Sequence, residues 1–385
     1  MDISYIINRL GEDNENYFGA IAPPIIQTSN FSYRKTDHLR QALKDEKNHL
    51  IYSRGNNPTL LILCKKLAAL EGADEALVFG SGMAAISTAV IANVKAGDHV
   101  ICVQNPYSWT NNLLKNLLPR FDVHTTFIDG TDISEFEKNI TDKTSLIYLE
   151  SPNTMTFELQ DIPAVVELAR RKNIITIIDN SYSSPIYQQP IKMGVDIVVH
   201  SATKYIGGHS DAVSGVLCAS SKIIERIFKQ EFLTFGGIIA PFTAWLLLRG
   251  LRTLPLRMER VSATTGKVIG FLEDHPMIEK IYYPFCENNL QKGIAEKQMK
   301  CGTGLFSVLL KTKDISKIED FCENLKYFQM AVSWGGYESL IFPVCATIER
   351  DVVPDMPVNL VRFSIGLEDA EVLIDDLKEG LEKIG

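Results

Sequence analysis

The chain has 385 residues, more than one hydrophobic core ordinarily fills, so two domains are expected from length alone. Hydrophobic residues make up 45% and charged residues 22%, a balance that excludes disorder because apolar surface is available throughout to offset chain entropy. The formal net charge of -8, with no basic stripe, excludes a nucleic-acid binder and a binder of anionic membranes.

No apolar run approaches the roughly 20 residues of a bilayer span, and Met1 to Glu15 shows neither a basic nor an apolar region of an export signal. The 7 cysteines are scattered and never form a CxxC pair, the pattern expected of a reduced, cytoplasmic protein without a disulfide frame or metal site. Residues 1–50 carry Gly19, Pro23 and Pro24 and one expected helix, Asp37 to Lys47, so they read as an arm over another surface. From Asn57 to Ser221 short apolar runs alternate with helical patterns. Strands are expected at Ala76 to Phe79, His99 to Val103, Ser145 to Leu149, Ile174 to Ile178 and Val195 to Val199, and helices at Met83 to Val94 and Ile162 to Arg171. Such alternation implies a mostly parallel sheet with helices on both faces, an α/β domain over 51–245. The remainder, 246–385, reads as a smaller α+β domain. Its expected helices are Ile315 to Leu325 and Ala370 to Ile384, and helices are also expected at Pro241 to Leu251 and Val261 to His275 in the second half of the chain. Its expected strands are Leu305 to Leu310, Phe328 to Ser333 and Leu360 to Ile365.

Three positions carry chemistry. Gly80-Ser81-Gly82-Met83-Ala84-Ala85 joins a strand to a helix, and small residues at a helix N-terminus let free N–H groups approach a phosphate. The same loop formally fits the dinucleotide pattern GxGxxA, which would make the protein a Rossmann oxidoreductase. Asp98 lies before the next strand rather than at its end, where that fingerprint needs an acid. A plain tight turn is the bland alternative. Lys204, behind Ser201 and Thr203, follows a buried strand at the edge where such sheets place ligands, and a lysine there can form an imine with a carbonyl cofactor. The alternative is a solvated lysine. Asp179 follows five β-branched residues, so its carboxylate ends a buried strand and needs a cation, a protonated pyridine nitrogen or an arginine. His200 and His209 lack a metal-ligand partner at helical spacing, and structural roles are expected, as is packing for Trp109 and Trp245.

Phosphate loop, Asp179 and Lys204 in that order resemble a fold-type I pyridoxal-phosphate (PLP) enzyme. Further motifs narrow the resemblance to the Cys/Met-metabolism (transsulfuration) family: Tyr52-Ser53-Arg54, Leu70-Glu71-Gly72, Glu150-Ser151-Pro152, Ser201-Ala202-Thr203-Lys204, Ser333-Trp334-Gly335-Gly336 and Val361-Arg362-Phe363-Ser364. The motifs span nearly the whole chain in family order. The resemblance implies the PLP-dependent transferase fold, with residues 51–245 as the PLP-binding domain. It implies Lys204 as the Schiff-base lysine and proton shuttle, Asp179 on the ring nitrogen and Tyr107 stacked on the ring. Ser81, Gly82, Met83, Ser201 and Thr203 would cradle the phosphate. Tyr52 and Arg54 would reach the phosphate of a neighbouring subunit, in a homo-oligomer expected to be a tetramer. Ser333 and Arg362 would hold the substrate α-carboxylate.

The family performs β-elimination, γ-elimination and γ-replacement on one scaffold. Val332 stands where cystathionine γ-synthases and γ-lyases usually have glutamate, and Ser333-Trp334-Gly335-Gly336 looks like bacterial cystathionine β-lyases, with Trp334 expected to crowd the substrate wall. Glu150-Ser151-Pro152-Asn153-Thr154-Met155 departs from Glu-Ser-Pro-Thr-Asn-Pro, so the asparagine that contacts the cofactor is displaced and Asn153 has no assigned role. Methionine γ-lyases share the apolar residue at 332 but carry cysteine where Trp109 stands. The expectation is a carbon–sulfur β-lyase acting on cystathionine or cysteine-type substrates. The alternatives are methionine γ-lyase, cystathionine γ-lyase and γ-synthase.

Overall fold

The apolar run that ends at Asp179 is the middle of a seven-stranded sheet in a computed structural model that describes residues 1–347 and 356–384. The strands are β1 (Glu75–Phe79), β2 (His99–Val103), β3 (His124–Ile128), β4 (Thr144–Glu150), β5 (Ile175–Asp179), β6 (Ile197–Ser201) and β7 (Gly215–Ala219). Their spatial order is β1-β7-β6-β5-β4-β2-β3, and β7 runs antiparallel to both neighbours while β6, β5, β4, β2 and β3 are parallel. Helices Pro58–Glu71 and Ile162–Arg171 cover one face, and Gly82–Ile91 and Ser221–Ile227 cover the other. A sheet covered on both sides buries every strand position, which is why β4 to β6 read as continuous apolar runs.

Helix Pro241–Glu273, 33 residues long, carries the chain from this sheet to a second one. The gap expected between Leu251 and Val261 is absent, and the helix runs on through Pro255. Proline costs one hydrogen bond and a clash with the carbonyl four residues back, but Leu247, Leu251, Leu254, Met258 and Val261 form one buried stripe that continues past it and offsets that cost. The buried Arg257 adds a tie, donating from Nη2 to the Gly250 carbonyl at 2.8 Å and from Nη1 to the Tyr205 carbonyl at 2.7 Å. The domain boundary expected at 245/246 falls inside this helix.

The second sheet contains β8 (Ile278–Tyr282), β9 (Leu305–Leu310), β10 (Gln329–Met330), β11 (Leu340–Pro343) and β12 (Leu360–Ser364), in the order β10-β11-β12-β9-β8. Its core includes Phe306 stacked on Phe363 at 5.3 Å, closed by helices Ile315–Asn324 and Ala370–Glu382. The expected strand Phe328 to Ser333 shrinks to Gln329–Met330, because the Val332 carbonyl turns to accept from Arg362 Nη2 at 2.9 Å.

The N-terminal segment is less of an arm than its sequence implies. A short helix, Ile3–Asn8, capped by Asp2, buries Ile6 and Ile7 in the main core. Lys66 Nζ donates to the carbonyls of Ile6 (2.9 Å) and Ile7 (3.1 Å) and pairs with Glu12 at 3.0 Å. Arg252 meets the same Glu12 oxygen, and Trp245 Nε1 donates to the Pro23 carbonyl, so this indole tethers the segment. Among the described residues no helix is long and apolar enough to cross a membrane.

Candidate active site

Lys204 follows β6 by three residues, in a turn closed by the Gly207 N–H on the Ala202 carbonyl and the Gly208 N–H on the Lys204 carbonyl, both 2.8 Å. Gly208 has φ +68°, and a side chain there would collide with Arg257. The amine donates to Ser333 Oγ at 2.8 Å and lies over the Trp334 indole, 5.2 Å from its centroid. Trp334 is 7% exposed and packs edge-on against Tyr205, so it lies beneath the lysine, where it was expected to crowd the substrate wall. Burial first, then the Arg362 charge, pushes the Lys204 amine down to about 8, with Asp179 opposing. A lysine so placed is available as a nucleophile and base near neutral pH.

Asp179 and Glu150 end β5 and β4 at paired register positions. Asp179 accepts the Ser181 N–H at 2.9 Å, and among the described residues no cation stands within ion-pair distance of it. Burial raises its carboxyl above the usual range, while Ser181, His200 and Lys204 pull it back. Tyr107 opens helix Ser108–Asn112, and its backbone N–H donates to Glu150 Oε2 at 2.7 Å. Its phenol is pushed up by burial and then by the charges of Asp179 and Glu150. His200 Nε2 lies 2.5 Å from Glu71 Oε1, and His209 Nδ1 lies 2.8 Å from the Gly207 carbonyl; both are structural contacts.

The phosphate loop is a built cradle. Ser81 Oγ accepts the Ala84 N–H at 3.0 Å as the cap of helix Gly82–Ile91, leaving the N–H groups of Gly82 and Met83 directed out of the helix end. A Cβ at Gly82 would lie 3.0 Å from Ser201 Oγ, and one at Gly215 would lie 2.1 Å from the Ser81 carbonyl, so both glycines are needed for the close approach. Thr203 Oγ1 is tied to Ser214, accepting its N–H at 3.0 Å. Free N–H groups at a helix start, a buried acid without a cation and a desolvated lysine are the donor set a pyridoxal phosphate requires.

Arg362 on β12 is buried and lacks a carboxylate partner among the described residues. Nη2 donates to the Val332 carbonyl, Nη1 meets Met155 Sδ at 3.7 Å, and burial pushes the guanidinium down to about 10. A desolvated guanidinium facing a thioether is ready for an incoming carboxylate. Tyr52 and Arg54 are not part of this cluster. They stack on each other at 5.2 Å and line a separate cleft of about 320 Å³ with residues 238–241. Segment 236–241 also touches the phosphate loop, where the Gly80 N–H donates to the Gly237 carbonyl at 2.8 Å. A larger cavity of about 790 Å³ between Phe157, Tyr283, Cys286 and Gln291 holds none of the candidate side chains. Trp109, expected to pack, is 48% exposed. No cluster of three or more His, Cys, Asp or Glu suited to a metal occurs among the described residues.

Sequence reasoning quoted Glu150 only as part of a motif and left Met155 without a role. The signal for Glu150 was present: like Asp179, it directly follows an apolar run, Leu146 to Leu149. Asn153 is buried and spent on its own loop, its Oδ1 accepting the N–H groups of Met155, Thr156 and Phe157.

A family model described as Cys/Met metabolism PLP-dependent enzyme matches residues 5–382. The L-methionine gamma-lyase of Fusobacterium nucleatum subsp. nucleatum is 36% identical over 378 residues, 96% of this chain and 95% of that one. The cystathionine beta-lyase of Lactococcus lactis subsp. cremoris is 37% identical over 381 residues, 97% of each chain. The crystal structure of metB from Corynebacterium glutamicum matches with a TM-score of 0.94 at 33% identity, covering 100% of this chain and 99% of that one.

Proposed function

The chain belongs to the Cys/Met metabolism family of PLP-dependent enzymes, as a carbon–sulfur lyase of the transsulfuration group, and we propose that it catalyses β-elimination from cystathionine or a cysteine-type thioether. The products are a thiol, pyruvate and ammonia. Bound at the strand ends, pyridoxal phosphate would supply an electron sink for the charge that develops at the substrate Cα. Lys204 would be the amine that holds it, and its Nζ would be the base that takes the substrate Cα proton. Ser333 Oγ, 2.8 Å from Nζ, orients that amine. Asp179 would pair with the protonated ring nitrogen, Tyr107 would lie against the ring, and Gly82, Met83, Ser201 and Thr203 would hold the phosphate. Arg362 clamps the α-carboxylate. Tyr52 and Arg54 complete the phosphate site of a neighbouring subunit in a homotetramer built as a dimer of dimers.

The observation that carries the β-reading is Val332. Its carbonyl is committed to Arg362 and its side chain, 72% exposed, stands at the rim of the carboxylate clamp. A glutamate at this place would attract the distal ammonium of cystathionine and select which end enters; valine leaves that bias out. Incubation with cystathionine, and separately with methionine, tests the reading by the keto acid formed. Pyruvate in excess of 2-oxobutyrate from cystathionine supports it. Mainly 2-oxobutyrate from either substrate reassigns the enzyme to γ-elimination and leaves the family standing.

A further inference from the structure

Register-paired residues of neighbouring parallel strands share one face of the sheet about 4.8 Å apart. Glu150 and Asp179 are such a pair, 4% and 7% exposed. Two desolvated carboxylates so close hold one negative charge far more readily than two. Their partners decide which acid keeps the proton. Asp179 meets an obligate donor, the Ser181 N–H, and its anion is favoured by Lys204 and by His200 of the adjacent strand β6. Glu150 presents Oε2 to the Tyr107 N–H and Oε1 to the hydroxyl of Thr154. A hydroxyl accepts as well as donates, so Thr154 can take a hydrogen bond from a protonated Oε1 while Oε2 keeps Tyr107. The other titratable groups facing Glu150 are Tyr148 on its own strand, Cys102 on β2 and the Tyr107 phenol. All three are pushed towards their neutral forms, and none supplies a cation.

We propose that Glu150 is a positioning residue of the cofactor site: it carries the single proton of the pair, so that Asp179 remains the anion facing the ring nitrogen, while its other oxygen fixes Tyr107. The proposal rests on the cofactor-site reading above and is independent of the choice between β- and γ-elimination. Burial, followed by the charge of Asp179, pushes the Glu150 carboxyl up to about 8.

Infrared difference spectra of the holoenzyme between about pH 6 and about pH 10, with and without carbon-13 glutamate, read the proton directly. The expected result is a protonated-carboxyl band from a glutamate that vanishes as pH rises through about 8 and is missing from Glu150→Gln. Glutamine keeps both contacts, accepting from Tyr107 and donating to Thr154, so its PLP dissociation constant should stay within about threefold of wild type. Glu150→Leu loses both contacts and should bind PLP about tenfold or more weakly. A band that persists in Glu150→Gln, or no titrating glutamate band at all, would overturn the proposal. So would unchanged affinity in Glu150→Leu or a tenfold loss in Glu150→Gln. Asp179→Asn serves as the separate check on the underlying site: unchanged PLP affinity in that variant would remove Asp179 from the ring, whatever Glu150 does.

Discussion

The Nζ of Lys204 donates a 2.8 Å hydrogen bond to the Oγ of Ser333, joining the turn after the last parallel strand of the large sheet to a loop of the second sheet. The amine thereby feels the charges of both the buried Arg362 and the buried Asp179, and it lies over an indole that shields it from below. A base and a carboxylate clamp on different sheets are held in one place by this contact, with Trp334 and Tyr205 packed beneath it.

Burying that amine costs stability, and the cost depends on pH. Lys204 titrates at about 8 in the folded chain against 10.5 for an ordinary lysine. Below pH 8 both states are charged and the folded state bears the desolvation penalty. Between 8 and 10.5 the unfolded chain binds more protons, so stability rises with pH across that window. Cofactor-free Lys204→Met should therefore exceed cofactor-free wild type by about 1–3 kcal/mol near pH 7, the gap closing towards pH 10. Urea titrations at several pH values measure it; a gap independent of pH would mean that the amine is solvated. The same variant should show no turnover and no absorbance from lysine-bound cofactor.

Arg54 and Tyr52 stack on each other in a cleft apart from Lys204 of the same chain. If they serve a neighbour's phosphate, Arg54→Ala and Lys204→Ala proteins are each nearly inactive, but refolding them together rebuilds one complete site per heterodimer. Random pairing makes half the dimers mixed, so about a quarter of wild-type activity should return. Heterodimers that form and stay inactive would place the contact within one chain.

Gly250 is where the long helix meets the Lys204 turn. A Cβ there would stand 2.4 Å from the Gly207 carbonyl and 2.7 Å from that of Ile206, and neither backbone atom can swing away. Gly250→Ala should destabilise by about 1–3 kcal/mol and weaken the tie from Arg257 to Tyr205. Gly266 in the same helix meets nothing within 4 Å, so Gly266→Ala should stabilise by about 0.5–1 kcal/mol. Thermal unfolding of the two variants should move in opposite directions.

Lys204 and Asp179 were visible in the sequence because each follows a continuous apolar strand, and a charge at such a place has few structural uses. Glu150 follows the same rule but escaped, because the proline two residues on drew the segment into a motif instead. The edge strand β3 was missed because His124-Thr125-Thr126-Phe127-Ile128 is half polar and partly exposed, and the antiparallel β7 was missed although it is as apolar and as long as β2. The gap left between Leu251 and Val261 erred in the opposite sense: a buried stripe keeps that helix whole through Pro255. Trp334 was expected at the substrate wall but not beneath Lys204, and Met155 was not placed, since their contacts with Lys204 and Arg362 are made across the two sheets and depend on tertiary packing alone.

Val332 provides the sharpest test of reaction choice. Its side chain is 72% exposed, so a carboxylate placed there would be partly screened by solvent. The neighbouring Arg362 is already committed through one nitrogen to the Val332 carbonyl, and its guanidinium is too deeply buried to neutralise a rim anion fully. A glutamate at this rim would gain an attraction to the distal ammonium of cystathionine worth about 1 kcal/mol, roughly fivefold in orientation preference. Val332→Glu should thus raise the ratio of 2-oxobutyrate to pyruvate from cystathionine about fivefold, leaving PLP affinity and the lysine-bound absorbance unchanged. Because the attraction is screened by salt, the shift should shrink as ionic strength rises. Val332→Gln, of the same size without the charge, should leave the ratio near that of wild type. An equal shift in the glutamine variant would show that size at the rim, not charge, governs which end of the substrate enters.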